Sequence, residues 1–516
     1  MNYLAIVVSL ALRSVVYYAF FMLRITVTFI ESLYFKLPCL FLPARVTTYA
    51  CARVYRVLGR YKFDVMLSPA QARDFITWHD GCHVPSYVLS SHVTLYAVNT
   101  REAVFVETAR SVHVTSCTEY AFMRLAQFQH AVRVITLPLD AFHELALQVN
   151  SESVADDAMT SAQSRCHDHD VTSDQQPDQN NDVMSLQVPL LDATNVTSLT
   201  TTANGNRKCT DDAPVEERVL RCQVSEKLIF LSMTGRCGST LLCQLLHASS
   251  DVTAFSEPEV LNTLAQYEGR IPERQLYALI KSCVILLCKP GKRSAGAGHV
   301  EEFEGVAVRA YAFKMTPPTV ALVPTLLRLF PRSKQLFMYR QGLHVARSSY
   351  RVAPQMPLIQ LALLNAKLSA RRAERVFESI GVASDMLAIV TDSDIAFFYH
   401  IWATCVRVYL HCRRDGLAVV GVRYEDLQGD TCAALQRILR YCELPARAHS
   451  ELSDVIAHIV SRDSQTNSPV SKSAVSRYER AEISARDRRA IEMINSRYEL
   501  PDIAQPCHLE GTITSS

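Results

Sequence analysis

Residues 230–247 read FLSMTGRCGSTLLCQLLH. An apolar run ends at Met233, glycines follow at 235 and 238, and Ser239 opens a segment with helical spacing. Glycines let a backbone turn tightly and approach a ligand, and the free amides at a helix start favour an oxyanion. The turn Thr234–Gly238 is therefore expected to hold a phosphate-like group. The loop of nucleoside triphosphatases, GxxxxGK[ST], ends in a lysine that GRCGST lacks. Here the cation is Arg236, inside the loop.

Outward from this turn, apolar runs alternate with amphipathic helices. KLIFLSM reads as a strand, STLLCQLLHAS as a helix, VAVRAYAFKM as a second strand and TVALVPTLLRLF as a helix leading into a third strand, SKQLFMYR. IWATCVRVYLHCRR is helical and LAVVGVRYEDL a fourth strand. Strands joined by helices imply an α/β fold, a three-layer parallel sheet with covered faces that binds ligands at the carboxyl ends of its strands.

Three ordered motifs in this part of the chain resemble the sulfotransferase family. Its 5′-phosphosulfate loop is matched by Arg236, Cys237, Gly238, Ser239, Thr240 and Leu241, with cysteine where serine is usual, after Gly235. FMYRQGLHVARSS is similar to its 3′-phosphate motif: Arg340 ends a strand and Ser348 lies eight residues later on the next helix, with Gly342 where proline is common. VVGVRYEDLQGDTCAALQRILRYCELP looks like the strand, YEDL and helix that close many such domains. The resemblance covers roughly residues 225–480. It implies 3′-phosphoadenosine 5′-phosphosulfate (PAPS) as donor, no metal, and sulfuryl transfer to a hydroxyl or amine.

A donor with phosphates at two separated points suits a cationic loop at one end and an Arg/Ser pair at the other. The acceptor proton needs a base, and SEPEVL offers Glu257 and Glu259. In the tyrosylprotein and some carbohydrate sulfotransferases a glutamate at the spacing of Glu257 from the loop arginine is that base. The resemblance also gives Lys314, at a strand end, the task of stabilising the leaving phosphate. Ser471, Lys472, Ser473 and Arg477, in SPVSKSAVSR, resemble the late loop that folds over the nucleotide. The competing readings are a P-loop kinase or hydrolase, which would need a lysine and an acidic magnesium ligand, and an inactive nucleotide-binding membrane adaptor, which would lack Glu257 or Lys314.

The rest of the chain carries less chemistry. Residues 1–45 are strongly apolar but interrupted by Arg13, Arg24 and Glu31, so they are expected to be a membrane segment or a membrane-surface helix. The family points to a Golgi single-pass arrangement, whereas the basic residues Lys36, Arg45, Arg53, Arg56, Arg60 and Lys62 that follow favour a cytoplasmic catalytic domain. Residues 46–150 predict a small α+β domain with strands in SYVLSSHVTLYAV, AVFVET, SVHVTS and VRVITLPL. Its His113, His130 and His143 read as packing residues. Residues 151–218, rich in Ser, Asp, Thr, Gln and Asn, read as a disordered linker carrying an NVT acceptor at Asn195 and a chance-like Cys166–His169 cluster. The domain of interest is then 219–516. Lys and Arg number 53 against 51 Asp and Glu, which argues against a nucleic-acid partner and makes any anion site local. The acceptor, whether glycan, protein tyrosine, lipid or small molecule, is not written in these motifs.

Overall fold

The computed structural model describes residues 3–39, 51–151, 213–224, 227–289, 310–368, 393–445, 449–476, 482–501 and 505–513. Arg477, Asn195, the Cys166–His169 cluster and most of the loop after Cys288 lie outside them.

The parallel sheet comprises β6 (Lys227–Met233), β7 (Val252–Ser256), β8 (Ala310–Lys314), β9 (Lys334–Tyr339) and β10 (Val419–Arg423), in the order β10-β9-β6-β8-β7. Alternation along each strand supplies both faces. Ile229, Leu231, Met233, Leu336 and Met338 pack under helix α5 (Ser239–Ser249), while Phe230, Phe255 and Phe313 face α6 (Glu259–Tyr267), α7 (Glu273–Leu287) and α8 (Val323–Leu329). Phe337 and Tyr339 continue the second face under α9 (Gly342–Val352) and a long helix, Asp394–Arg414. This is the expected three-layer arrangement, with one correction. VTAFS forms β7, so the sheet has five strands rather than the four read from the sequence.

The N-terminal α+β unit is a five-stranded antiparallel sheet: β1 (Ala52–Arg60), β2 (Phe75–His83), β3 (Val93–Val98), β4 (Glu102–Thr108) and β5 (Ala131–Pro138), ordered β2-β1-β5-β4-β3. Helix α2 (Met123–His130) precedes β5 and helix α3 (139–151) follows it. SVHVTS is a turn and not a strand. His143 is buried and bonded to Ser282 Oγ at 2.8 Å, and burial pushes its imidazole down to about 4, as suits a packing residue.

Several of the basic residues read as topology signals serve the fold. Arg53, Arg56 and Arg60 lie on β1, where Arg60 donates to the carbonyls of Phe128 and Ala131. Lys62 is buried and donates to Ser68 O. Helix α1 (Tyr3–Cys39) contains a stretch, Ile6–Tyr34, long and apolar enough to cross a membrane, and many of its large side chains, among them Leu12, Val15, Tyr18 and Phe29, are exposed.

The two units share one apolar core. Val93, Leu95, Phe105 and Phe142 belong to the same cluster as Leu261, Leu279, Val284 and Phe313, with α6 and α7 packed on β3. Lys289, just past α7, donates its ammonium to the carbonyls of Val88, Ser90 and Val93 at 2.7, 3.0 and 2.5 Å. A short helix, α4 (Val215–Arg221), begins inside the segment expected to be linker and packs on α7.

Candidate active site

The first-quoted turn leaves β6 and enters α5 with Gly235, Arg236 and Gly238 at φ of 77°, 48° and 83°. Successive left-handed residues turn backbone amides inward, a concavity suited to an anion. At Gly238 the glycine is required by space as well as by φ: a Cβ would lie 2.5 Å from Cδ2 of Tyr424. The same Tyr424 ring carries the Arg340 guanidinium, 4.6 Å from its centroid. Tyr424 of YEDL therefore joins the first motif to the second.

Arg236 completes that junction. Its Nε donates to Ser348 Oγ at 3.0 Å and its Nη1 to Gln465 Oε1 at 2.7 Å. Burial and the nearby Arg340 push the Arg236 guanidinium down to about 10, opposed by Asp463. It stays charged near neutrality, crowded by like charge, a state that an incoming anion would relieve. Cys237 is fully buried with Sγ 3.3 Å from Met338 O, and burial pushes its thiol up, so it is a packing residue of the loop. Ser239 and Thr240 are buried at the start of α5, and Ser239 Oγ contacts Met233 Sδ. Gly342 opens α9 against Trp402, whose Cδ2 would lie 2.8 Å from a Cβ.

The late loop lies beside these groups. Ser471 caps a short turn of helix by accepting from Ala474 N, and Lys472 N donates to Asp463 Oδ2. Ser473 Oγ lies 3.2 Å from Ser471 Oγ. Gln465 touches Arg236, and Arg351 Nη2 donates to Val475 O. The Lys472 side chain is exposed, so only the backbone of this residue is tied to the loop.

At the end of β8, the strand beside β6, Lys314 Nζ donates to Glu257 Oε1 at 2.6 Å. Both are buried, 1% and 4% exposed. Glu257 precedes Pro258 and holds φ 57°, a strained conformation for a residue with a side chain. Its backbone amide donates to Lys314 O, which fixes the turn.

One member of this cluster was missed from the sequence. Arg124 of α2, in the N-terminal unit, is buried and places Nη2 2.6 Å from Glu257 Oε2 and Nη1 3.3 Å from Glu259 Oε2. Burial alone would raise the Glu257 carboxyl, but Lys314 and Arg124 together hold it below the usual carboxylate range. Glu259 accepts also from Asn262 Nδ2 at 2.9 Å, and Asn262 Oδ1 accepts from Thr316 Oγ1 at 2.5 Å. The available signal was a lone arginine among the apolar residues of EYAFMRLAQFQHA.

These groups stand in a row along the carboxyl edge of the sheet: Arg340 after β9, the glycine turn after β6, Lys314 at the end of β8 and Glu257 after β7. The order permits an anionic group to be held at one end of the row and a proton to be taken at the other.

Residues 229–448 match a family model described as Sulfotransferase family. That segment is less than half the chain, and it contains all three quoted motifs. No curated protein matches. Among solved structures, the sulfotransferase STF9 from Mycobacterium avium is 13% identical over 55% of this chain and 78% of its own, with a TM-score of 0.28.

Proposed function

We propose, from a segment that carries the sulfotransferase family signature, that residues 219–516 transfer a sulfuryl group from PAPS to a hydroxyl or amine. The observation that carries the reading is the row at the sheet edge, which pairs a two-point cationic clamp with a lysine and a carboxylate on the neighbouring strands.

The 5′-phosphosulfate lies in the loop Gly235–Thr240 against Arg236, and the 3′-phosphate meets Arg340 and Ser348. Charge-assisted bonds at two separated points select PAPS over a nucleotide that lacks the 3′ group. Ser471 and Lys472 belong to the loop that covers the bound nucleotide. The acceptor oxygen, or the nitrogen of an amine, attacks sulfur as the bond from sulfur to the bridging oxygen breaks. Glu257 takes the acceptor proton, and Lys314 stabilises negative charge on the departing phosphate oxygen. The products are the sulfated acceptor and adenosine 3′,5′-bisphosphate. Positioning and charge stabilisation supply most of the rate, as in phosphoryl transfer. The exposed apolar face of α1 supports a membrane-associated enzyme.

The test is retention of the full chain on immobilised adenosine 3′,5′-bisphosphate. Elution by that compound and not by ATP is expected. Equal elution by ATP, or no retention, contradicts the two-point clamp.

A further inference from the structure

The N-terminal unit has no place in the reading above, yet it contributes a buried cation to the site. Arg124 reaches across from α2, and the segment that leads to it is fastened to the parallel unit. Ser256 Oγ donates to Ala121 O at 2.5 Å, Gln244 Nε2 donates to Cys117 O at 2.9 Å, and the ring of Phe122 faces both cations, 4.8 Å from Lys314 Nζ and 5.9 Å from the Arg124 guanidinium carbon. A cavity of about 10 Å³, room for about one water, separates this segment from Asn467 and Ser468 of the late loop.

Lys314, Glu257, Arg124 and Glu259 form one chain of contacts. Lys314 and Arg124 each occupy one oxygen of Glu257, and Arg124 also bridges to Glu259, which Asn262 holds in place. Two glutamates so close and so buried would repel, and one would take up a proton if no cation lay between them. A lysine at position 124 would present one ammonium, whereas the planar guanidinium spans both carboxylates.

We propose that Arg124 is a positioning residue for the transfer centre, fixing the Glu257 carboxylate against Lys314, and that Glu259 anchors Arg124 rather than serving as a second base. The proposal rests on Glu257 being the base of the reaction described above. The catalytic machinery is then completed by the N-terminal unit. The groups that face Glu257 from the packed elements are Lys314 of β8, Arg124 of α2 and Glu259 of α6. Asp64 lies near Arg124, and the Cys117, Cys243 and Cys237 thiols lie beyond.

The sign of each variant follows from this arrangement. Arg124→Gln combined with Glu259→Gln removes one charge of each sign, so the buried cluster keeps its balance. Glu257 then loses its nearer neighbour, the cation, and its carboxyl should titrate about one pH unit or more higher. Glu259→Gln alone removes only the more distant negative charge and leaves Arg124 wholly to Glu257, so titration should move down. Opposite movements in the two variants report the hold of Arg124 on the Glu257 carboxylate, and an acid limb of turnover that moves with the carboxyl is what a merely structural arginine would not give.

The experiment is infrared titration of the full chain carrying 13C-labelled glutamate, with the Glu257 band assigned by its loss in Glu257→Gln and folding checked by circular dichroism. The acid limb of PAPS turnover should follow the carboxyl upward in the double variant, with the KM for PAPS unchanged. Should the double variant not fold, the downward movement in Glu259→Gln remains the test. An unmoved or downward Glu257 band in the folded double variant, or an unmoved or upward one in Glu259→Gln, overturns the role of Arg124. Because the band is read without substrate, the two readings fail separately. Movement as expected in a protein that binds no adenosine 3′,5′-bisphosphate and turns over no PAPS overturns the sulfotransferase reading, and the catalytic role of Arg124 with it. Nucleotide binding without movement overturns the role of Arg124 alone.

Discussion

Gly238 bears more of the proposed donor site than any other single glycine. Its left-handed φ and the Tyr424 ring directly above it exclude a side chain, and that ring also supports Arg340. Gly238→Ala should push Tyr424 aside and disturb both phosphate contacts at once, at a backbone cost of roughly 1–2 kcal/mol. Calorimetry should find adenosine 3′,5′-bisphosphate bound about tenfold more weakly or worse, about 1.4 kcal/mol. Unchanged affinity in a folded variant would show that the turn does not hold the nucleotide. At this scale the sequence was most informative where chemistry depends on short spacing. Arg236, Gly238, Arg340 and Ser348 stand within their own motifs, and the fold brings Arg236 to 3.0 Å from Ser348. Arg124 could not be found in that way, because its partner Glu257 lies 133 residues along the chain and no local pattern records such a pairing.

Among elements, α9 carries the sharpest expectation. Ser348 projects from it toward Arg236, so the hydroxyl of this helix joins the loop cation to the proposed 3′-phosphate site. Ser348→Ala should narrow the preference for PAPS over adenosine 5′-phosphosulfate, which lacks the 3′-phosphate, by removing a hydrogen bond to a charged group worth about 1.5–3 kcal/mol. Competition binding of the two nucleotides measures it, and an unaltered preference would remove Ser348 from the clamp. The element pattern was legible where strands are wholly buried. KLIFLSM, SKQLFMYR and the neighbouring helices announce themselves by continuous apolar runs. β7 escaped notice because VTAFS is only five residues long and mixes Thr and Ser with its apolar positions. β1 was obscured by its arginines, which lie on exposed positions of a half-buried strand and resemble the charges that flank a membrane segment. SVHVTS alternates as a strand would but pairs with no strand among the described residues, and it settles as a turn.

The whole molecule joins an antiparallel unit to a parallel one through a common core, and the deepest part of the candidate site draws on both. Composition announced neither the shared core nor the donated arginine, since a nearly balanced charge says nothing of where charges meet. The central claim is that this assembly performs sulfuryl transfer with Glu257 as base, and the most direct measurement uses the full chain with PAPS labelled at sulfur. Wild-type protein and Glu257→Gln are compared for label transferred to a panel of hydroxyl and amine acceptors, alongside calorimetry with adenosine 3′,5′-bisphosphate. Loss of a general base costs about 100- to 10,000-fold in rate. Wild-type protein should transfer label, Glu257→Gln should lose transfer by a factor of that size, and its nucleotide affinity should stay within about twofold of wild type, under ~0.5 kcal/mol. Near-normal transfer by Glu257→Gln, or no transfer by a wild-type protein across the panel, would contradict it.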